Sequence, residues 1–137
     1  MRASLRNAVC ERARNCCEYC QMQAVFSHDP FSAEHILPIA KSGLDELINL
    51  AWACLGCNLY KSSTTHVIDL ISGDLVPLFN PRMDKWSEHF QWTEGFAIIV
   101  GLTPIGRATI TCLKLNRLGL INLRKLLVAF DKHPPVL

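Results

Sequence analysis

The chain reads as an α+β domain with a metal-stapled core, and three observations predict it. Two CxxC pairs, Cys17-Glu18-Tyr19-Cys20 and Cys54-Leu55-Gly56-Cys57, bracket short runs of strand length. Helical spacing of apolar residues is confined to the two ends of the chain. A length of 137 residues, 50% of them hydrophobic, suits a single domain (1–137) whose small core gains from a metal staple.

Taken in order, Leu5 to Arg14 carries a weak helical pattern within a basic N-terminal segment, 1–14. Residues 21–32, with Asp29-Pro30, read as a connecting loop or a short strand with a turn. Ala33 to Leu37 is a strand stopped by Pro38, Lys41-Ser42-Gly43 with Asp45 and Glu46 a polar loop, and Leu50-Ala51-Trp52 a second strand. Asn58 to Ser63 continues as a turn or two of helix, so a core over 15–64 runs strand, loop, strand, knuckle, helix.

The extension, 65–137, opens with a hairpin over Asp69 to Leu78 about Ser72-Gly73, broken by Asn80-Pro81-Arg82. Trp86, Phe90 and Trp92 alternate with polar residues, and Thr93-Glu94-Gly95 turns the chain into Phe96 to Leu102, giving a second antiparallel pair. Thr103 is placed to cap a helix with Pro104 at its first position. A break at Asn116 to Gly119 precedes a last helix with Leu120, Leu123, Leu127 and Phe130 on one face and Arg124 and Lys125 on another. His133-Pro134-Pro135 ends it. Trp52, Trp86 and Trp92 are expected in the core, and His28, His66, His89 and His133 in structural roles.

Seven cysteines is an odd count, and no apolar signal core follows Met1-Arg2-Ala3-Ser4-Leu5-Arg6. The CxxC pairs therefore read as metal ligands of a cytoplasmic protein rather than as a disulfide framework, with Cys10, Cys16 and Cys112 left over as small hydrophobes. Four thiolates around one tetrahedral zinc, at about 2.3 Å each, leave no open position, so Cys17, Cys20, Cys54 and Cys57 predict a structural ion. No apolar run reaches membrane-spanning length. The net charge of +2 conceals basic ends, with Arg2, Arg6, Arg12 and Arg14 at one and Arg107, Lys114, Arg117, Arg124, Lys125 and Lys132 at the other, around an acidic middle. That distribution suits a protein that grips a polyanion by its rims and holds a cation at its centre.

Cys17-x2-Cys20, Glu34-His35-Ile36-x-Pro38, Gly43, Asn49-Leu50, Cys54-x2-Cys57-Asn58 and Lys61 together resemble the HNH endonuclease family in its four-cysteine zinc form. The resemblance implies a ββα-metal fold, two antiparallel strands and a helix around one divalent cation. It matches His35 to the general base that takes a proton from water, a task suited to imidazole. Glu34 and Asn58 match the metal-binding positions, whose oxygens suit Mg²⁺ or Mn²⁺, other divalent ions being open. Asn49 matches the asparagine that pins the inter-strand loop and so orients His35. Lys61 lies one turn beyond Asn58, as a phosphate contact or as a solvated lysine. Two positions depart from the family: Glu34 stands where Asp is frequent, and Asn58 where the name-giving last His falls.

The function implied is hydrolysis of DNA phosphodiester bonds, with Arg2, Arg6, Arg12, Arg14, Lys61, Arg124 and Lys125 on the nucleic acid. Contacts to phosphate alone imply salt-sensitive binding with little sequence preference. A non-catalytic zinc module that binds nucleic acid is the rival. Both keep the four cysteines, and only the nuclease needs Glu34, His35 and Asn58 as a set. The sequence leaves open DNA against RNA, and one copy of the chain against a homodimer.

Overall fold

A computed structural model describes residues 1–93 and 95–137. Helix α1 (Ala3–Arg12) leads to a hairpin of β1 (Ser32–His35) and β2 (Leu50–Ala53), which helix α2 (Leu55–Lys61) follows. The strands pair antiparallel, Ser32 opposite Ala53 and His35 opposite Leu50. α1 stops at Arg12 because Arg14 and Asn15 take left-handed φ values of 53° and 54°, which swing the chain into the first cysteine pair. α2 begins earlier than Asn58. Cys54 is its N-cap, its sulfur accepting the Cys57 N–H at 3.4 Å, so the second cysteine pair forms the helix's first turn.

The extension is built from a hairpin of β3 (His66–Ile68) and β4 (Leu75–Pro77), a one-turn helix α3 (Trp86–His89), a hairpin of β5 (Phe90–Thr93) and β6 (Ile98–Gly101), then α4 (Pro104–Leu113) and α5 (Leu118–Ala129). The first of these hairpins starts upstream of Asp69. Asp69 instead closes its loop, accepting from Gly73 N through its carbonyl and from Ser72 N through its carboxylate, with Gly73 at φ +76°. Glu94, in the middle of the turn expected between the second pair of strands, lies outside the described residues. Thr103 caps α4 as predicted, its hydroxyl accepting the Gly106 N–H at 3.0 Å.

Two expectations fail for one reason, helical phase. Trp86 to His89 is a helical turn rather than the start of a strand, which sets Trp86 and Phe90 four residues apart on one face with ring centroids 5.1 Å apart. In α5, Arg124 is four residues after Leu120 and three before Leu127, so it shares their buried face instead of opposing it. Phe130, one residue past α5, is exposed. The core gathers Val9, Tyr19, Phe31, Trp52, Phe79, Phe90, Leu113 and Leu127 between the β1–β2 hairpin and the extension. Trp86 and Trp92 pack against it half-buried, and Trp52 lies within it, as expected. Among the described residues no helix is long and apolar enough to cross a membrane.

His133 tethers the C-terminal segment. It is buried, its Nε2–H donates to the Phe96 carbonyl at 3.0 Å, its ring meets the Trp92 ring edge-on at 4.6 Å, and its Nδ1 has no hydrogen-bond partner among the described residues. Burial holds its titration below the ordinary histidine value, helped by the Arg124 guanidinium and opposed by the Phe96 carbonyl. The native state therefore holds His133 neutral, a contribution present above the unfolded value and lost as pH falls through the folded one. Between pH 7.5 and 5.5 the wild type should lose about 3 °C more in melting temperature than His133→Gln. Parallel pH profiles for the two proteins would remove His133 as the cause.

Candidate functional site

The sulfurs of Cys17, Cys20, Cys54 and Cys57 lie within 4.8 Å of one another and are all buried, and those of Cys20 and Cys54 are 3.7 Å apart. A tetrahedral ion with Zn–S bonds of about 2.3 Å separates its sulfurs by about 3.8 Å, so donor type, number and spacing fit zinc. Burial pushes the Cys17 thiol well up, whereas side-chain hydrogen bonds from Cys17, Cys20 and Cys57 hold the Cys54 thiol far below its usual range. Arg117, from the turn before α5, supplies compensating charge. Its Nη2 donates to Cys54 Sγ at 3.3 Å and its Nη1 to Cys57 Sγ at 3.7 Å. Desolvation opposes charging Arg117, but the Cys57 and Cys54 thiolates outweigh it and raise its pKa. Gly56 makes this approach available, because a Cβ there would sit 2.5 Å from Arg117 Nη2.

Beside the zinc site, Glu34, His35 and Asn58 line one shallow surface pocket of about 290 Å³, with Pro38, Ile39, Ser62 and Ser63. The hairpin delivers the first two and α2 the third. Side chains alternate along β1, so Glu34 turns inward and is buried while His35 stays partly open. Glu34 Oε1 accepts from Lys61 Nζ at 2.6 Å, and Oε2 from the Tyr19 hydroxyl at 2.8 Å. Burial raises the Glu34 pKa, and Lys61 and Tyr19 pull it back. His35 Nε2 lies 2.6 Å from Asp45 Oδ1.

Asn49 pins the inter-strand loop with its whole amide. Its Oδ1 accepts from Leu37 N at 2.8 Å, and its Nδ2 donates to the carbonyls of Leu37 and Leu44 at 3.0 and 3.1 Å. Gly43 fits beneath because a Cβ would come within 1.7 Å of the Leu37 carbonyl oxygen.

Of the predicted oxygen ligands, Asn58 donates through Nδ2 to Ser32 Oγ at 3.1 Å, which frees its Oδ1, and each Glu34 oxygen keeps a lone pair beyond its single protein donor. Two protein oxygens on one pocket fit a hard cation whose remaining positions go to water and phosphate. Among the described residues the cysteine cluster is the only group of three or more His, Cys, Asp or Glu with metal-ligand spacing.

Comparison with known proteins agrees with this geometry. A zinc-stapled ββα core is the class the hairpin, helix and four-cysteine site define. Residues 17–64 match the family model described as HNH endonuclease. No curated protein and no solved structure matches the chain.

Two of the expected nucleic-acid contacts are corrected. Lys61 is 2% exposed, and its three N–H donors go to Glu34 and to the carbonyls of His35 and Ile36, leaving none for phosphate. Arg124 is fully buried, donating to the carbonyls of Ala97 and Leu115 and stacked on Trp92 with its Cζ 5.1 Å from the ring centroid. Arg2, Arg14 and Lys125 are exposed. Arg6 and Arg12 are exposed too but partly engaged, Arg6 with the Phe31 carbonyl and the Trp52 ring, Arg12 with the carbonyls of Leu47 and Leu50. Arg117 meets Cys57 across sixty residues of chain, a contact with no local sequence signal. Tyr19 and Asp45 lay within stretches already singled out, as the third residue of the first CxxC pair and a member of the polar loop.

Two outcomes follow from these contacts. Lys61→Met leaves the Glu34 carboxylate buried without its cation and should cost about 3–5 kcal/mol in denaturant unfolding, with Lys61→Met/Glu34→Gln recovering part of it. Arg117→Ala and Gly56→Ala should each retain zinc yet release it to a colorimetric chelator about 10–100-fold faster than wild type. Unchanged release from both would show that the guanidinium does not hold the thiolates.

Proposed function

We propose that the chain is a metal-dependent endonuclease that hydrolyses phosphodiester bonds in DNA. The observation that carries this reading is the convergence of Glu34, His35 and Asn58 on one surface pocket, within the segment that matches the HNH endonuclease family. His35 is the general base. It takes a proton from the water whose oxygen attacks phosphorus, while the electron pair of the breaking P–O bond leaves with the 3′ oxygen. Glu34 and Asn58 hold Mg²⁺ or Mn²⁺, which when bound stabilises charge on the phosphate and the departing oxygen.

Asn49 serves by position rather than by contact with the reacting atoms, since its amide is spent on the loop. Lys61 likewise acts through Glu34, fixing the carboxylate from behind the pocket. Arg2 and Arg14 on the N-terminal side, and Lys125 on the C-terminal side, are exposed and would meet backbone phosphates without reading sequence.

The test is cleavage of supercoiled plasmid in Mg²⁺ or Mn²⁺, with His35→Ala beside the wild type at equal zinc content. Loss of at least about 10²-fold in rate with DNA binding kept supports the assignment. Binding without cleavage by the wild type would make the domain a zinc-containing nucleic-acid-binding module instead.

A further inference from the structure

Asp45 sits on the inter-strand loop, outside the set of residues that the nuclease reading uses, yet makes the one hydrogen bond that the His35 ring has among the described residues, 2.6 Å from Nε2. We propose that Asp45 is a positioning residue for His35, accepting Nε2–H so that the ring presents a bare Nδ1 as the nitrogen available to the pocket. Its catalytic meaning rests on the nuclease reading, whereas the tautomer it fixes does not.

The contact is a product of the loop's construction. Asn49 ties Leu37, two residues beyond His35, to Leu44, and Asp45 comes next. Gly43 lets the loop close against the Leu37 carbonyl, and Ser42 takes a left-handed φ of 71° on the way. The Glu46 carbonyl accepts the Asn49 N–H at 2.8 Å, so Asp45 is bracketed by fixed backbone on both sides. Asp45 has no route to His35 unless this loop holds its shape.

A stabilising role is the weaker account. The Asp45 side chain is 50% exposed, and ion pairs so open to water contribute little to folding. The effect of the contact is directional. In the neutral ring one nitrogen carries the proton and the other accepts, and a carboxylate, which only accepts, selects the tautomer with the proton on Nε2. When Nδ1 then takes the proton of the attacking water, the imidazolium donates Nε2–H to Asp45 in a charge-assisted bond and the carboxylate stays ionised. The opposite tautomer has its proton on Nδ1 and cannot act as base there.

The experiment compares wild type, Asp45→Asn and Asp45→Ala, each checked for equal zinc content and melting temperature. Long-range ¹H–¹⁵N correlation reads the His35 tautomer, and plasmid cleavage gives kcat and KM. The expected result is a single Nε2–H tautomer in the wild type, a mixture in Asp45→Ala, and a kcat about 10–100-fold lower in Asp45→Ala with KM unchanged. Asp45→Asn, whose amide can donate as well as accept and carries no charge, should also lose the single tautomer and lower kcat, which separates the carboxylate's selection from mere occupancy of the position. An unchanged tautomer in Asp45→Ala, or equal rates for Ala and wild type, would overturn the assignment. A wild type that cuts no DNA would defeat the nuclease reading alone, and the tautomer comparison would still decide whether Asp45 sets the ring.

Discussion

Four buried sulfurs within 4.8 Å of one another set the constraint on which the rest of the site depends. As thiolates they repel, and a dication satisfies them only at tetrahedral spacing, so the distance between two segments more than thirty residues apart in sequence is fixed by metal-ligand geometry. The elements thus joined are short. β1 and β2 have four residues each and α2 has seven, lengths at which an isolated hairpin or helix is marginal in water. Arg117, from the far extension, brings a positive charge to the cysteine cluster, and the missing side chain at position 56 leaves room for it. The pocket is therefore a consequence of the staple. His35 ends one strand of the clamped hairpin, and Asn58 follows directly on the last cysteine.

Adjacent residues on β1 serve opposite ends because a strand turns consecutive side chains to opposite faces. Glu34 goes inward, to a lysine and a tyrosine, and His35 goes outward, to a loop carboxylate. Each is held by a partner of complementary hydrogen-bonding type, so neither depends on solvent for its orientation. The inward pair is buried on both sides, and such a pair gains specificity of position more than stability: its desolvation cost approaches its attraction, yet loss of one partner strands the other.

The legible parts of this fold were those written locally. Ligand spacing within each cysteine pair, the capping Thr103 with Pro104 and the strand-loop-strand order are written in short runs of sequence, and all stand in the structure. What was not legible depended on phase and on distance. Lys61 shares a helical face with Asn58 by spacing, but only the docking of α2 on the hairpin decides that Lys61 reaches beneath β1 while Asn58 opens to the pocket. Arg124 was set apart from Leu120 and Leu127 by its charge, although its spacing placed it with them; carbonyls and the Trp92 ring make its burial tolerable. Arg117 carries no local mark at all, since its partners are sulfurs on the other side of the chain.

The burial of Lys61 bears on how a divalent ion is held. A free carboxylate facing solvent would attract a cation on its own, but Glu34 already has an ammonium on one oxygen and a hydroxyl on the other. Asn58 adds an oxygen without charge. A pocket so nearly neutral has little electrostatic pull on a lone Mg²⁺ or Mn²⁺, which gives up its water reluctantly and prefers anionic oxygens. On the nuclease reading the missing charge is supplied by the scissile phosphate, so ion and substrate complete each other's coordination. On the same reading the basic N-terminal segment would bring the phosphate, and the hairpin and helix would offer the oxygens of Glu34 and Asn58 to the ion that comes with it.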